Sequence, residues 1–176
     1  MGPPPPRVAV LLDDMGLLED ATLKAIALDP TISMAFLPYA RNTRALVEAA
    51  RAAGHQVLLH MPMEPSGIAD PGPGALLVSL SAVEIRQRLT AALAVVPGAI
   101  GLNNHMGSLF TADSDAMAVV IDVIAARNLM ILDSVTTPDS VVTELARALG
   151  VPSGAGIEPV PIAVAATPAL TAVAAR

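Results

Sequence analysis

A chain of 176 residues with a formal net charge of −6 and 53% hydrophobic residues has the size of one domain, burying roughly two-thirds of its unfolded surface. Its acidity argues against nucleic acid or an anionic membrane as a partner, because both demand clustered Lys and Arg. With no cysteine present, disulfides, thiolate metal ligands and a cysteine nucleophile are excluded.

Residues 1–6, Met-Gly and four prolines, read as the remnant of a stiff linker and offer neither the basic nor the apolar region of a signal peptide. The apolar run 8–12 predicts a first strand ending in Asp13-Asp14. A helix over 19–28 follows and is stopped by Asp29-Pro30, since a residue before proline avoids helical geometry. A second strand over 32–37 ends at Pro38, and a helix over 42–53 takes Asn42 as its N-cap and Gly54 as its stop. The third strand, 57–59, ends in His60-Met61-Pro62 and leads into a proline- and glycine-rich loop over 64–80. Ser81 and Glu84 form a capping-box pattern that opens a helix reaching Val95. The fourth strand, 99–102, ends in Asn103-Asn104-His105, and a helix over 113–127 follows. The fifth strand, 129–132, ends in Asp133-Ser134. A last helix opens at Thr137-Pro138 and runs to Leu149.

Alternating strands and helices, with strands apolar on both faces, predict the α/β class with parallel strands sandwiched by helices. A sixth strand is due soon after Gly150, yet 152–176 is an Ala/Val/Pro stretch without alternation. Residues 7–151 therefore read as the domain and 152–176 as an unpatterned tail. Pro159, Pro161 and Pro168 interrupt that tail, so no segment reads as a membrane span.

In parallel α/β folds the ligand site lies beyond the carboxyl ends of the strands. Four of the five predicted strands end in Asp, His or Asn: Asp13-Asp14, His60, Asn103-Asn104-His105 and Asp133-Ser134. Taken singly each has a bland reading, as a helix cap, a structural histidine or turn residues. Their convergence on one edge favours a site. One carboxylate with two imidazoles suits zinc, and also manganese, iron, nickel or cobalt. Such an ion renders a bound water ionisable and able to attack a carbonyl, while a free carboxylate takes its proton. Neighbouring Asp residues at a strand end are expected to point apart, so Asp13-Asp14 would supply one ligand and one base. His55, between a helix and a strand, reads as solvated.

The same residues carry a resemblance. Val10-Leu11-Leu12-Asp13-Asp14-Met15-Gly16 resembles the opening motif of the divergent polysaccharide deacetylases, and Leu37-Pro38-Tyr39-Ala40 follows in place. Leu58-Leu59-His60-Met61-Pro62-Met63-Glu64-Pro65, Asp70-Pro71-Gly72-Pro73-Gly74-Ala75-Leu76, Gly101-Leu102-Asn103-Asn104-His105-Met106-Gly107-Ser108 and Leu132-Asp133-Ser134 are similar to its further motifs. The resemblance implies a distorted NodB-like β/α barrel, here with its C-terminal part incomplete, set in the periplasm or cell envelope. It implies removal of acetyl groups from a polysaccharide, with a divalent cation, zinc foremost, on Asp14, His60 and His105. It further implies Asp13 as general base, with Asn104, Asp133 and Ser134 orienting ligands or substrate. Two positions depart from the family, Leu109 and Val135, where arginines are usual, and no histidine follows His105. Truncation or a frameshift after Gly150 is the expectation that follows. It leaves a non-catalytic carbohydrate-binding or envelope-interaction module as the alternative to an enzyme, and an open barrel prone to aggregation.

Overall fold

The computed structural model describes residues 7–156, together with the backbone of 159–160 and 170–175. Six parallel strands, β1 (Arg7–Met15), β2 (Ser33–Phe36), β3 (Val57–Met63), β4 (Gly101–Met106), β5 (Met130–Asp133) and β6 (Ser153–Ala155), lie side by side in chain order. They curl into a half-barrel. Two further strands, β7 (Pro159–Val160) and β8 (Leu170–Ala175), extend the sheet beyond β1, with β8 antiparallel to it. The sixth strand thus forms three residues after Gly150, inside the stretch that lacks hydrophobic alternation. Backbone pairing of Ser153–Ala155 with Ile131–Asp133 builds it where side-chain pattern gave no signal.

Five helices connect the strands: α1 (Glu19–Ile26), α2 (Thr43–Ala52), α3 (Ala82–Val95), α4 (Ser114–Ala125) and α5 (Val142–Ala148). All five contribute to one large apolar cluster, through residues such as Ala25, Val47, Leu89, Ile121 and Ala146. There they meet the outward-facing strand residues Leu12, Met34, Phe36, Leu59, Leu102 and Ile131. The opposite, concave face carries a much smaller cluster of Leu11, Ala35 and Leu58, with Leu132 packed against it. Because strand side chains alternate, continuing that concave row along β1, β3 and β4 leads to Asp13, His60 and Asn103.

Local differences from the expected elements have physical causes. The capping box on α3 forms as predicted, Ser81 accepting from the Glu84 amide and Glu84 from that of Ser81. Asn42 stands at the start of α2 but makes no side-chain cap; it donates to Glu19 Oε2 at 2.7 Å, tying α2 to α1. The last helix starts at Val142, not at Thr137-Pro138. The intervening turn is held instead by Ser140, which donates to Asp133 Oδ2 at 2.7 Å, and by the Val141 amide on Thr111 O at 2.9 Å. β1 and β3 run past their apolar cores to Met15 and Met63, so Asp13, Asp14 and His60 lie within strands and not after them.

Candidate metal centre

Two acidic neighbours on a regular strand would face opposite sides. Here β1 bulges: Asp13 and Asp14 stand between Leu12, opposite Met34, and Met15, opposite Phe36, so two residues oppose the single Ala35. Asp14 absorbs the extra residue in the left-handed region, φ 60°, at a cost of about 1–2 kcal/mol that Asp and Asn tolerate better than most side chains. The expected divergence of the pair is overturned by this bulge. Asp13 Oδ1 comes within 3.8 Å of Nδ1 of His60, and Asp14 Oδ1 within 3.3 Å of Nε2 of the same ring.

His105 completes the group from β4, paired in register with Pro62, two residues past His60 on β3. Its Nδ1 lies 3.1 Å from Asp14 Oδ1 and 3.3 Å from His60 Nε2. Asp14, His60 and His105 thus present one oxygen and two nitrogens as a triangle with edges of 3.1, 3.3 and 3.3 Å. An ion with ligand bonds of about 2.0–2.1 Å in tetrahedral geometry separates its donors by about 3.3 Å. The triangle fits that size. Asp14 Oδ1 is also buried without a well-formed hydrogen bond, a vacancy in its bonding that a cation would fill.

The electrostatics agree. Contact with His105, and next with His60, holds the Asp14 carboxyl far below the usual carboxylate range despite its burial. Burial alone would lower His60, but the contact with Asp14, the charges of Asp13 and Asp14, and the Asn103 amide outweigh it and leave the imidazole raised. A depressed acid beside a raised base marks a donor set that holds a positive charge.

Asn103 stood among the predicted strand-end residues without a role, the orienting part being expected of Asn104. Asn103 is buried and faces the site between two of its members. Its Nδ2 donates to Asp13 Oδ1 at 2.9 Å and to Ser134 Oγ at 3.3 Å, while its Oδ1 lies 2.9 Å from His60 Nδ1. The period of two along β4 carries the signal, because Asn103 and His105 share a face and Asn104 takes the other.

Asn104 braces the loop after β5: its Oδ1 accepts from the Ser134 amide at 2.8 Å, and its carbonyl accepts from Ser134 Oγ at 2.8 Å. Asp133 serves the same loop, accepting from the Val135 amide at 2.8 Å and from Ser140. Ser134 alone of these three reaches the concave side, through Asn103. Leu109 and Val135, at the positions where the resemblance places arginines, are exposed, Val135 with φ 51°. Gly107, one residue past β4, adopts φ 89°, and a Cβ there would fall 2.9 Å from Met63 Cβ. His55 is not solvated: it is 4% exposed, with Nδ1 at 2.8 Å from Ile32 O and Nε2 at 3.0 Å from Ile26 O, away from the triad. Carbonyls that α1 and its following turn leave without amide donors draw the ring inward.

The family model for divergent polysaccharide deacetylases matches residues 10–156. An uncharacterized protein of Haemophilus influenzae is 37% identical over 149 residues, 84% of this chain and 52% of that protein. Uncharacterized protein YibQ of Escherichia coli is 33% identical over 145 residues, 82% of this chain and 46% of its own length. The chain spans about half the length of these curated relatives. Among solved structures, an uncharacterized Agrobacterium tumefaciens protein superposes with a TM-score of 0.79 at 30% identity, covering 82% of this chain and 60% of that one. A lactam utilization protein from Thermus thermophilus shares the fold, with a TM-score of 0.58 at 17% identity over 85% of this chain and 65% of its own.

Proposed function

The chain belongs to the divergent polysaccharide deacetylase family, and from that premise we propose that its concave site hydrolyses acetyl groups, N- or O-linked, on a polysaccharide. The observation that carries the reading is the donor triangle of Asp14, His60 and His105, whose edges match a small divalent cation. Zinc suits one carboxylate and two imidazoles best. When bound, such an ion supplies Lewis acidity for the acetyl carbonyl and acidifies a coordinated water. Asp13 acts as general base, taking a proton from the attacking water. It is 8% exposed and sits behind His60, outside the donor triangle. Ser134, with Asn104 and Asp133 holding its loop, borders the place where substrate enters.

A second reading, a carbohydrate-binding module without catalysis, draws on one observation. The protein's third histidine, His55, is committed to two backbone carbonyls, so beyond the triad no imidazole among the described residues is left to protonate a leaving group. Acetate release from acetylated glycans by zinc-loaded protein, measured against chelator-treated protein and Asp13→Asn, separates the readings. Release that needs both zinc and Asp13 supports the hydrolase. Zinc binding and glycan binding without acetate release, from protein that unfolds cooperatively, would leave the binding module.

A further inference from the structure

We infer that Asn103 is a positioning residue that couples the proposed base to the proposed metal ligand, fixing which nitrogen of His60 carries the proton. The inference rests on the site reading above. Its geometry is a chain of three side chains: the Asp13 carboxylate, the Asn103 amide and the His60 ring.

The amide can satisfy this chain in one orientation only. With Nδ2 toward Asp13 it donates to a carboxylate oxygen at 2.9 Å, and the same group reaches Ser134 Oγ at 3.3 Å. Turned over, it would set two acceptor oxygens against each other at that distance, in a buried setting where such a conflict is costly. Asp13 therefore dictates the orientation of Asn103. Once Oδ1 faces His60 Nδ1 at 2.9 Å, an imidazole nitrogen without hydrogen there would be equally repulsive. The Asn103 contact therefore favours the neutral ring with its proton on Nδ1, against the pull of the Asp14 carboxylate on Nε2. That leaves the lone pair on Nε2, the atom 3.3 Å from both Asp14 Oδ1 and His105 Nδ1. Ligand histidines commonly have their distal nitrogen held by a carboxylate or a carbonyl; here an amide stands between the carboxylate and the ring.

The interposed amide has a second effect. It keeps Asp13 Oδ1 3.8 Å from His60 Nδ1, beyond direct hydrogen bonding. Asp13 thereby acts on the imidazole through its charge and not through a direct hydrogen bond. One residue holds the ligand ready and the base apart.

Two variants test this. Asn103→Leu removes both contacts; Asn103→Asp keeps an acceptor for His60 but removes the donor to Asp13 and sets a like charge against it. The readouts are zinc affinity by calorimetry and the His60 tautomer by nitrogen-15 NMR of the metal-free protein at alkaline pH. Wild type should show the Nδ1–H form. Asn103→Leu should lose that preference and bind zinc on the order of 10–100-fold more weakly. Asn103→Asp should keep both, while acetate release falls in kcat by about tenfold or more with KM little changed. Wild-type tautomer and zinc affinity in a cooperatively folded Asn103→Leu would overturn the inference. If that variant does not fold, Asn103→Asp decides: loss of the Nδ1–H form there overturns it equally. Should wild type bind no zinc, the metal reading fails by itself, and the tautomer comparison still settles the part played by Asn103.

Discussion

Replacing Asp14 with Asn isolates the charge in the donor triangle. Asn tolerates the left-handed backbone at this position, so the bulge in β1 should persist. Its amide can still hydrogen-bond His60 in the metal-free state, but the stability that the lowered Asp14 charge contributes there is lost. Zinc at a hundredfold excess over its Kd stabilises wild type by about 2.7 kcal/mol. For a domain with about 150 described residues that corresponds to a rise in Tm of about 5–11 °C. Asp14 supplies one donor of the three and the only carboxylate among them, so Asp14→Asn should abolish nearly all of that rise. Thermal unfolding of chelator-treated protein with and without zinc, followed by calorimetric titration, measures both quantities. Should Asp14→Asn show the full rise with wild-type affinity, the triangle is a polar cluster of the core and not a ligand set.

Four further outcomes are expected. Because His60 is raised, protons should compete with zinc from above the ordinary imidazole range, and calorimetry across pH should show affinity falling as pH falls. In the metal-free protein the raised His60 stabilises below its unfolded value and loses that contribution as pH rises through its folded one. The lowered Asp14 stabilises above its unfolded value and loses that contribution only as pH falls through its folded one. Urea unfolding should therefore show these contributions together at mildly acidic pH. Gly107→Ala should lower stability by roughly 1–3 kcal/mol, since the new Cβ meets Met63 and the backbone is left-handed there; an unchanged urea midpoint would contradict the crowding. His55→Leu should cost about 1–3 kcal/mol by stranding the carbonyls of Ile26 and Ile32, with zinc affinity unchanged.

The strands and helices up to α5 were legible because hydrophobic runs and helical stretches alternate cleanly through residue 149. The triad was legible for a related reason: chemistry-bearing side chains stood where apolar runs stopped. What stayed hidden depended on backbone detail. Nothing in Asp13-Asp14 announces a left-handed Asp14, because aspartate favours that region only weakly and strand pairing decides it. Asn103 and Asn104 differ by one step of the strand, so choosing between them requires the register with His60 on β3. His55 was misread because a polar residue beside a glycine reads as exposed until the carbonyls it serves are located. β6 escaped notice since Ser153-Gly154-Ala155 carries no side-chain pattern and gains its place from the neighbouring strand.

The bulge in β1 also decides how the chain keeps count. Met15 packs with the helices, fully buried, as Leu12 does, so exactly one additional position is inserted between two anchors that must stay on the outer face. Removing either aspartate by deletion would straighten the strand and leave the survivor on the concave row, with Met15 unmoved. A single-residue deletion could therefore convert a base-plus-ligand pair into a lone carboxylate while sparing the core. Fold and chemistry are separable here by one codon.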